Sequence, residues 1–299
     1  MPETIQIQVN NLSKKYKNTK AVDNISFGVK SGEILGFVGP NGAGKTTTIS
    51  MLLGFIKPTS GSIKIIGEDV HMSSSHIHHN RIGFASGDMA LFDNLSGLQY
   101  LDFLANQYKN SDYRDELVKL LKPNLDSKLG NLSRGNKQKI ALIGALQHRP
   151  EIVILDEPTS GLDPLMQKTF LDILISQKDA GVTVFMSSHI LLEVAEIAQR
   201  VIFLRDGKII LDKNIASVLQ QKGKIVSLHL AKGSKFVVPK SLEVVTNSPS
   251  YVQFRFLGKN SELLNLLENK YITDFTVQDE TLDDIFDSLY DESIAEPKL

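Results

Sequence analysis

The chain has 299 residues, of which 41% are hydrophobic and 22% are charged, and its formal net charge at pH 7 is −1. This balance suits an α/β domain with a smaller second unit, and it provides no basic surface for non-specific binding of nucleic acid. The absence of cysteine excludes disulfides and thiolate metal sites. Because the sequence has neither an N-terminal signal pattern nor about 18 consecutive uncharged apolar residues, we expect a chain that is not exported and does not span a membrane.

The N-terminal segment predicts a pair of antiparallel strands. Residues 5–9 alternate between apolar and polar, and residues 21–29 offer a second strand. A polar turn over residues 14–20 separates them and carries one aromatic side chain, Tyr16. Tyr16 is either a surface aromatic residue or a ring on which a purine base stacks.

A glycine-rich segment then predicts a phosphate-binding loop. Residues 39–46 read G-x-x-x-x-G-K-T between an apolar strand-like run, residues 34–38, and a helix-compatible segment, residues 47–53. Glycines allow positive φ, so that backbone N–H groups and the start of the following helix can face one anion. An ordinary glycine-rich turn would not need both flanking elements. We expect Lys45 to reach the β- and γ-phosphates of a nucleotide and Thr46 to hold Mg²⁺. The nucleotide-binding residues predicted here are Gly39, Pro40, Asn41, Gly42, Ala43, Gly44, Lys45, Thr46 and Thr47.

Four histidines, His71, His76, His78 and His79, follow a short predicted strand over residues 63–66. Imidazoles could bind Zn²⁺ or Ni²⁺. The lack of cysteine and the few carboxylates nearby favour a solvated loop instead.

The middle of the chain changes to a helical pattern. After a strand over residues 81–85, Ser96 and Gln99 form a capping-box pattern that opens one helix, and a second helix over residues 115–121 stops before Pro123. These features predict an all-helical insertion at about residues 87–135 within an α/β sheet. Ser133 is a natural N-cap for a further helix over residues 140–146, where N–H groups beside Gly135 could bind a second anion.

Two buried strands follow, and each ends in chemically active side chains. Residues 152–155 form an apolar run that leads into Asp156 and Glu157, and residues 182–186 lead to His189. Ligands bind at the carboxyl ends of parallel strands. We expect Asp156 to hold Mg²⁺ through water, Glu157 to act as the general base on an attacking water, and His189 to contact the γ-phosphate.

Together these residues resemble the nucleotide-binding subunit of ATP-binding cassette (ABC) transporters over about residues 4–215. The match covers, in order, Tyr16, the phosphate loop 39–46, the signature 132–136, the strand and acids 152–157, the loop 160–163 and His189. The signature distinguishes this family from kinases and GTPases. A GTPase would also need an Asn-Lys-x-Asp segment, whereas Asn136-Lys137-Gln138-Lys139 lacks the Asp.

The resemblance implies ATP and Mg²⁺ as ligands and a mechanism that needs two copies, or a copy and a homologous subunit. ATP would be held between the phosphate loop of one subunit and Ser133 and Gly135 of the other, and Asn136 and Asp163 would also belong to the nucleotide-binding residues. Its hydrolysis would reopen the dimer and drive a separate integral-membrane permease. The subunit would therefore be cytoplasmic and peripheral on the inner face of the cell membrane, and the helical insertion would receive a permease helix against Leu91, Phe92 and Leu95.

The sequence departs from the family pattern in three places. Gly87 stands where the family carries a Gln or Glu that contacts the metal and the attacking water, and we hypothesise that Asp88 replaces it on Mg²⁺. The segment around residues 121–130 is shorter than usual. Arg134 replaces the second-position Gly of the signature, where its side chain need not face the phosphate.

The residues after the cassette predict a small α+β domain over residues 219–299, following the ATPase domain over residues 1–218. Strands are expected over residues 224–230, 251–256 and 275–277, and a helix over residues 261–268. The ending 281–286 resembles that of single-cassette exporters of drugs, antibiotics and polysaccharides. This domain is either an appendage that stabilises the dimer or a ligand-sensing domain, and the lack of a polar constellation favours the appendage.

The function that best fits these features is an ATP-hydrolysing subunit that energises export. One alternative is a cassette ATPase that acts as a mechanical switch on ribosomes or DNA, although such proteins usually carry two cassettes or a long coiled coil. Another is a nucleotide-gated binding module with vestigial hydrolysis. Glu157 and His189 argue against this last alternative, whereas Gly87 keeps it open.

Overall fold

The structure is a computed structural model that describes residues 4–70, 80–88, 91–108, 112–220, 223–234, 236–239, 242–281 and 284–285. It divides into two compact units, Met1–Ile215 and Ala216–Leu299. The four histidines considered above as a metal site, residues 71, 76, 78 and 79, lie outside the described residues.

The strands are β1 (Ile5–Tyr16), β2 (Thr19–Lys30), β3 (Ile34–Val38), β4 (Ser60–Ile65), β5 (Glu68–Asp69), β6 (Ile82–Ser86), β7 (Ile152–Asp156), β8 (Thr183–Ser188), β9 (Arg200–Arg205), β10 (Lys208–Asn214), β11 (Lys224–Leu230), β12 (Glu243–Ser248), β13 (Tyr251–Phe256) and β14 (Ile272–Asp279). The helices are α1 (Lys45–Leu52), α2 (Gly97–Ala105), α3 (Arg114–Leu121), α4 (Arg134–Leu146), α5 (Pro164–Asp179), α6 (Leu191–Ala195), α7 (Ile215–Gln220) and α8 (Asn260–Leu267). Among the described residues, no helix is long and apolar enough to cross a membrane.

The main sheet of the first unit has six strands in the order β10-β9-β3-β8-β7-β6. All neighbouring pairs are parallel except β10 with β9. Every residue of β3 and β7 is buried, which explains why both strands are continuous apolar runs. The parallel register aligns Val38 with Ser188, and Ser187 with Asp156, so the carboxyl ends of β3, β8 and β7 meet at one edge.

The predicted antiparallel strands form a sheet of their own, in the order β2-β1-β4-β5. Its apolar face shares one core with the main sheet, where the Phe37 ring lies 5.6 Å from Phe27 and 5.1 Å from Phe185. The predicted polar turn at residues 14–20 is wrong in its extent. Pairing of Tyr16 with Thr19 continues the ladder to the hairpin tip, so only residues 17 and 18 form the turn.

The central segment contains two α-helices, α2 and α3, separated by non-helical stretches. Ser96 and Gln99 form the predicted capping box of α2, and α3 ends at Leu121 as expected. The start of the signature helix was predicted too late: α4 begins at Arg134, because the Ser133 side chain caps the polar first turn. A short 3₁₀ turn over Leu129–Asn131 and a bridge between Ser96 and Lys128 mean that this segment is not wholly helical.

The second unit is an antiparallel sheet in the order β12-β13-β11-β14 with helix α8. Its core consists of Val226, Leu228, Leu230, Val252, Phe254, Phe256 and Leu263. The unit therefore has a hydrophobic core of its own. On β13, Arg255 also donates a hydrogen bond of 3.0 Å to the buried carboxylate of Glu280.

Candidate nucleotide-binding site

The phosphate loop joins the end of β3 to the start of α1. Gly42 and Gly44 have φ values of 83° and 107°, in the left-handed region that glycine adopts without strain. A side chain on Gly44 would also overlap the carbonyl oxygen of Ala21. The loop is therefore closely packed at Gly44, where only glycine fits. Thr46 and Thr47 follow it in the first turn of α1, with Thr46 exposed.

Lys45 is the buried cation of this loop. Its side chain is only 5% exposed, and its Nζ donates hydrogen bonds to the carbonyl oxygens of Gly39 at 2.7 Å and Pro40 at 3.2 Å. The same Nζ lies 3.4 Å from Oε1 of Glu157. The ammonium group is thus held inside the loop, where an incoming anion would meet it.

Asp156 and Glu157 lie at the carboxyl end of β7, as predicted. Asp156 is buried and accepts a hydrogen bond of 2.5 Å from the Ser187 hydroxyl. The Glu157 N–H donates to Ser187 Oγ at 3.2 Å, and Glu157 has a φ of 50°. A non-glycine residue in this left-handed region stores about 1–3 kcal/mol of strain, which is common at functional sites.

Sequence analysis did not identify Ser187 as a site residue. The only signal for it is its place at the end of a buried strand, next to the tip of β7 in the sheet.

A chain of polar contacts connects the ends of three neighbouring strands. Glu157 Oε2 lies 3.1 Å from Nδ1 of His189, and the other carboxylate oxygen faces Lys45. His189 is half exposed and follows β8, as the sequence predicts. The structure therefore brings a lysine, a carboxylate and an imidazole together at one edge, a set that can bind a phosphate and move a proton.

The start of α4 carries a second group of the predicted site residues. Ser133 is exposed and caps the helix by accepting from the Asn136 N–H at 3.4 Å. The Asn136 amide also donates to Ser133 Oγ, at 3.3 Å. Gly135 lies so close to the loop after β7 that an added Cβ would be 2.7 Å from the Gly161 carbonyl oxygen. Ser133, Gly135 and Asn136 therefore share one helix end.

Gly87 and Asp88 follow β6 beside the tip of β7. The Gly87 N–H donates to the Asp156 carbonyl oxygen at 2.9 Å, and an added Cβ at Gly87 would lie 2.7 Å from the Glu157 carbonyl oxygen. Asp88 is exposed and accepts a hydrogen bond of 2.7 Å from Arg134. Its carboxylate is therefore engaged by the signature helix.

Two other predicted site residues have local structural roles. Tyr16 ends β1, is half exposed, and lies 5.1 Å from the Lys14 ammonium, measured to the ring centroid. Asp163 caps α5 by accepting from the Met166 N–H at 3.0 Å. Neither role prevents contact with a nucleotide.

The donor set around the loop fits a nucleotide and a hard divalent cation. Thr46 offers a hydroxyl and Asp156 a carboxylate, which are oxygen ligands of the kind that Mg²⁺ prefers. Within the described part of the chain, no three His, Asp or Glu side chains cluster as a metal cage. Mg²⁺ at this site would therefore need oxygens from phosphate or water as well, which is usual for this ion.

Comparison with known proteins identifies the family. A family profile described as ABC transporter matches residues 22–160, from β2 through the phosphate loop and the signature to Ser160. The chain is 37% identical to the bacitracin transport ATP-binding protein BcrA of Bacillus licheniformis, over 78% of this chain and 77% of that protein. It is 36% identical to the SkfA peptide export ATP-binding protein SkfE of Bacillus subtilis (strain 168), over 72% of this chain and 92% of that protein.

A solved structure shows the same fold. A dimeric bacterial ABC transporter cassette superimposes with a TM-score of 0.65 at 26% identity, covering 70% of this chain and 98% of that one. The two named relatives act in transport or export, which favours the transport interpretation over a switch on ribosomes or DNA. The chain belongs to the ATP-binding subunits of ABC transporters.

Proposed function

We propose that this protein hydrolyses ATP as one subunit of a dimer and thereby drives export through a separate integral-membrane permease. The observation that carries the proposal is the contact chain from Lys45 through Glu157 to His189, at the carboxyl ends of three neighbouring parallel strands. Export is inferred from the relatives named above, which serve bacitracin transport and peptide export.

In this proposal ATP lies along the phosphate loop. Backbone N–H groups of residues 41–47, at the end of the loop and the start of α1, would bind its phosphates, and the Tyr16 ring would stack on the base. Lys45 would exchange its contacts with the loop carbonyls for the β- and γ-phosphates. Thr46 and Asp156 would hold Mg²⁺, which neutralises charge on the phosphate oxygens when bound.

Asp88 is the third proposed metal-side residue. One of its oxygens already accepts from Arg134, so a contact with Mg²⁺ would use the other oxygen or a bridging water. If Asp88 serves the metal, Asp88→Asn will raise the Mg²⁺ concentration needed for half-maximal hydrolysis. An unchanged Mg²⁺ requirement would remove Asp88 from the metal site.

The chemical step follows from the positions of the two carboxylate oxygens of Glu157. One would accept the proton of a water whose oxygen attacks the γ-phosphorus, while the bond from that phosphorus to the β–γ bridging oxygen breaks and ADP leaves. His189, at 3.1 Å from Glu157, would donate to a γ-phosphate oxygen and keep the carboxylate aimed at the water. Lys45 would stabilise the negative charge that develops on the leaving oxygen.

The second copy would complete the site. Ser133, Gly135 and Asn136 are accessible at the capped start of α4, where N–H groups and the helix dipole favour an anion. Asp163 would approach the same nucleotide across the interface. Closure around ATP and opening after hydrolysis would give the two states between which a permease can be driven.

The proposed permease surface lies on the helical segment. Phe92 is 58% exposed, and its ring lies 5.6 Å from that of Phe103, which is also exposed. Leu91 lines a neighbouring cavity of about 300 Å³. With Leu95, these side chains would contact a cytoplasmic helix of the permease and hold the subunit on the inner face of the membrane.

The test is Glu157→Gln, which keeps the shape of the side chain but cannot accept the proton. We expect ATP-dependent dimers to accumulate and turnover to fall by about 10²–10⁴-fold, the usual loss when a general base is removed. Tagged protein isolated from membranes should carry an integral-membrane partner. Hydrolysis at the wild-type rate by the variant, or a preparation that contains ribosomes in place of a membrane protein, would refute the proposal.

A further inference from the structure

Arg134 connects three segments of the first unit that are distant in sequence. It is the first residue of α4, and its Nη2 atom donates to Asp88 Oδ1 at 2.7 Å and to Ser160 Oγ at 2.9 Å. The side chains of Arg134 and Asp88 are 58% and 89% exposed. Because exposed ion pairs contribute little to folding stability, the contact needs another explanation.

Both partners of Arg134 are attached to the tip of β7. Gly87, next to Asp88, donates to the carbonyl oxygen of Asp156 at 2.9 Å. The Ser160 N–H donates to the carbonyl oxygen of Glu157 at 3.2 Å. The Nη2 atom of Arg134 therefore bonds to two side chains in segments whose backbone N–H groups donate to Asp156 and Glu157.

The start of α4 also lies close to this region. An added Cβ at Gly135 would lie 2.7 Å from the Gly161 carbonyl oxygen, and one at Gly161 would lie 3.1 Å from Cγ of Arg134. The helix start therefore lies close to the loop, with no room for a side chain at Gly135. The hydrogen bonds of Arg134 connect it to the residues around the tip of β7.

We infer that Arg134, anchored by Asp88, is a positioning residue that couples the two nucleotides of the dimer. The inference rests on the proposed function, in which Ser133 acts on the partner's ATP while Glu157 acts on the ATP of its own subunit. A side chain that holds Ser133 at a fixed distance from Glu157 transmits the state of one site to the other. The coupling requires both Arg134 and Asp88, so removing either residue should abolish it.

The experiment is a double-mutant cycle in the full-length protein with Arg134→Met, Asp88→Asn and the double variant. Methionine keeps an aliphatic stem against Gly161 and removes the charge. The matched control is Arg81→Met, which breaks the exposed bidentate pair of Arg81 with Glu151 at the opposite end of β6. The measurements are kcat, the Hill coefficient for ATP, the half-saturating Mg²⁺ concentration and the ATP affinity of each variant.

We expect each single variant to lose about 2- to 30-fold in kcat, the range for residues that couple sites without touching the reacting atoms. The Hill coefficient should fall towards 1 in both single variants, while ATP affinity stays unchanged and the Mg²⁺ requirement rises in Asp88→Asn but not in Arg134→Met. The double variant should be no worse than either single variant, and Arg134→Lys, which keeps the charge, should recover part of the rate. The control should match the wild type.

The inference is overturned if the two losses multiply, or if Asp88→Asn changes only the Mg²⁺ requirement while Arg134→Met behaves as wild type. Losses that multiply would mean that the two residues act independently, and the second result would assign Asp88 to the metal and leave Arg134 without a role. Failure of the proposed function is a different result, because in that case the wild-type protein itself would neither dimerise with ATP nor hydrolyse it cooperatively.

Discussion

Gly87 stands where the family resemblance leads one to expect Gln, yet the structure predicts that introducing Gln impairs the enzyme. A Cβ at this position would lie 2.7 Å from the Glu157 carbonyl oxygen and 3.0 Å from Cβ of Ser160. Ordinary contact begins at 3.4 Å, so the carbonyl must move by 3.4 − 2.7, or about 0.7 Å. Displacements of about 1 Å near reacting groups can reduce rates 10²-fold, so we expect kcat to fall roughly tenfold.

Gly87→Ala separates the effect of the Cβ from that of the amide. Because the neighbouring cavity of about 300 Å³ can take a longer side chain, Gly87→Gln and Gly87→Ala should lose similar activity in a steady-state ATPase assay. Both should also unfold at lower urea concentration, since overpacking costs about 1–3 kcal/mol. The control is Gly28→Ala, whose added Cβ would meet Ile5 at an ordinary 3.4 Å. Wild-type turnover by Gly87→Ala, or faster turnover by Gly87→Gln, would refute this reasoning.

Three further predictions concern other parts of the first unit. Ser187→Ala removes the donor to the Asp156 carboxylate, so the free energy of unfolding measured in urea should fall by about 1–3 kcal/mol, whereas Ser187→Thr should retain most of it. Burial lowers the pKa of His148 to about 4 from its ordinary 6.5, and the nearby backbone of Ile82 opposes this lowering. The unfolded chain therefore binds an extra proton between these values, so stability should fall by about 3 kcal/mol as the pH drops from 6.5 to 4, and His148→Phe should flatten this slope. Tyr16→Ala should weaken ATP binding about tenfold in a titration, while Tyr16→Phe should bind normally, because stacking uses the ring and not the hydroxyl. If Tyr16→Ala binds ATP as tightly as the wild type, Tyr16 is not part of the site.

The elements that position the site were predictable because their sequence signals are local. Strands β3 and β7 are continuous apolar runs, and the phosphate loop has its glycines at the positions that need positive φ. Strands β9, β10 and β12 were not predicted. β10 and β12 carry charged or exposed residues along much of their length, so their patterns resemble loops.

The contacts that organise the site depend on three-dimensional register and could not be predicted. Ser187 meets Asp156 only because β8 pairs with β7 in that alignment. Arg134 and Asp88 are 46 residues apart, and the sequence indicates no pairing between them. A family pattern assigns a position to each residue, but where the sequence differs from that pattern, as at Asp88, the hydrogen-bond partner has to be found in the structure.

The central claim is that each ATP is held by Lys45 of one subunit and Ser133 of the other. Mixing Lys45→Ala and Ser133→Ala chains tests it most directly, because each variant alone would have no intact site, whereas a mixed dimer would have one. Since half of the dimers in an equal mixture are mixed, ATPase activity should rise to at most roughly a quarter of the wild-type value. If the mixture is no more active than the two variants measured separately, the nucleotide is not shared between subunits and the account is wrong.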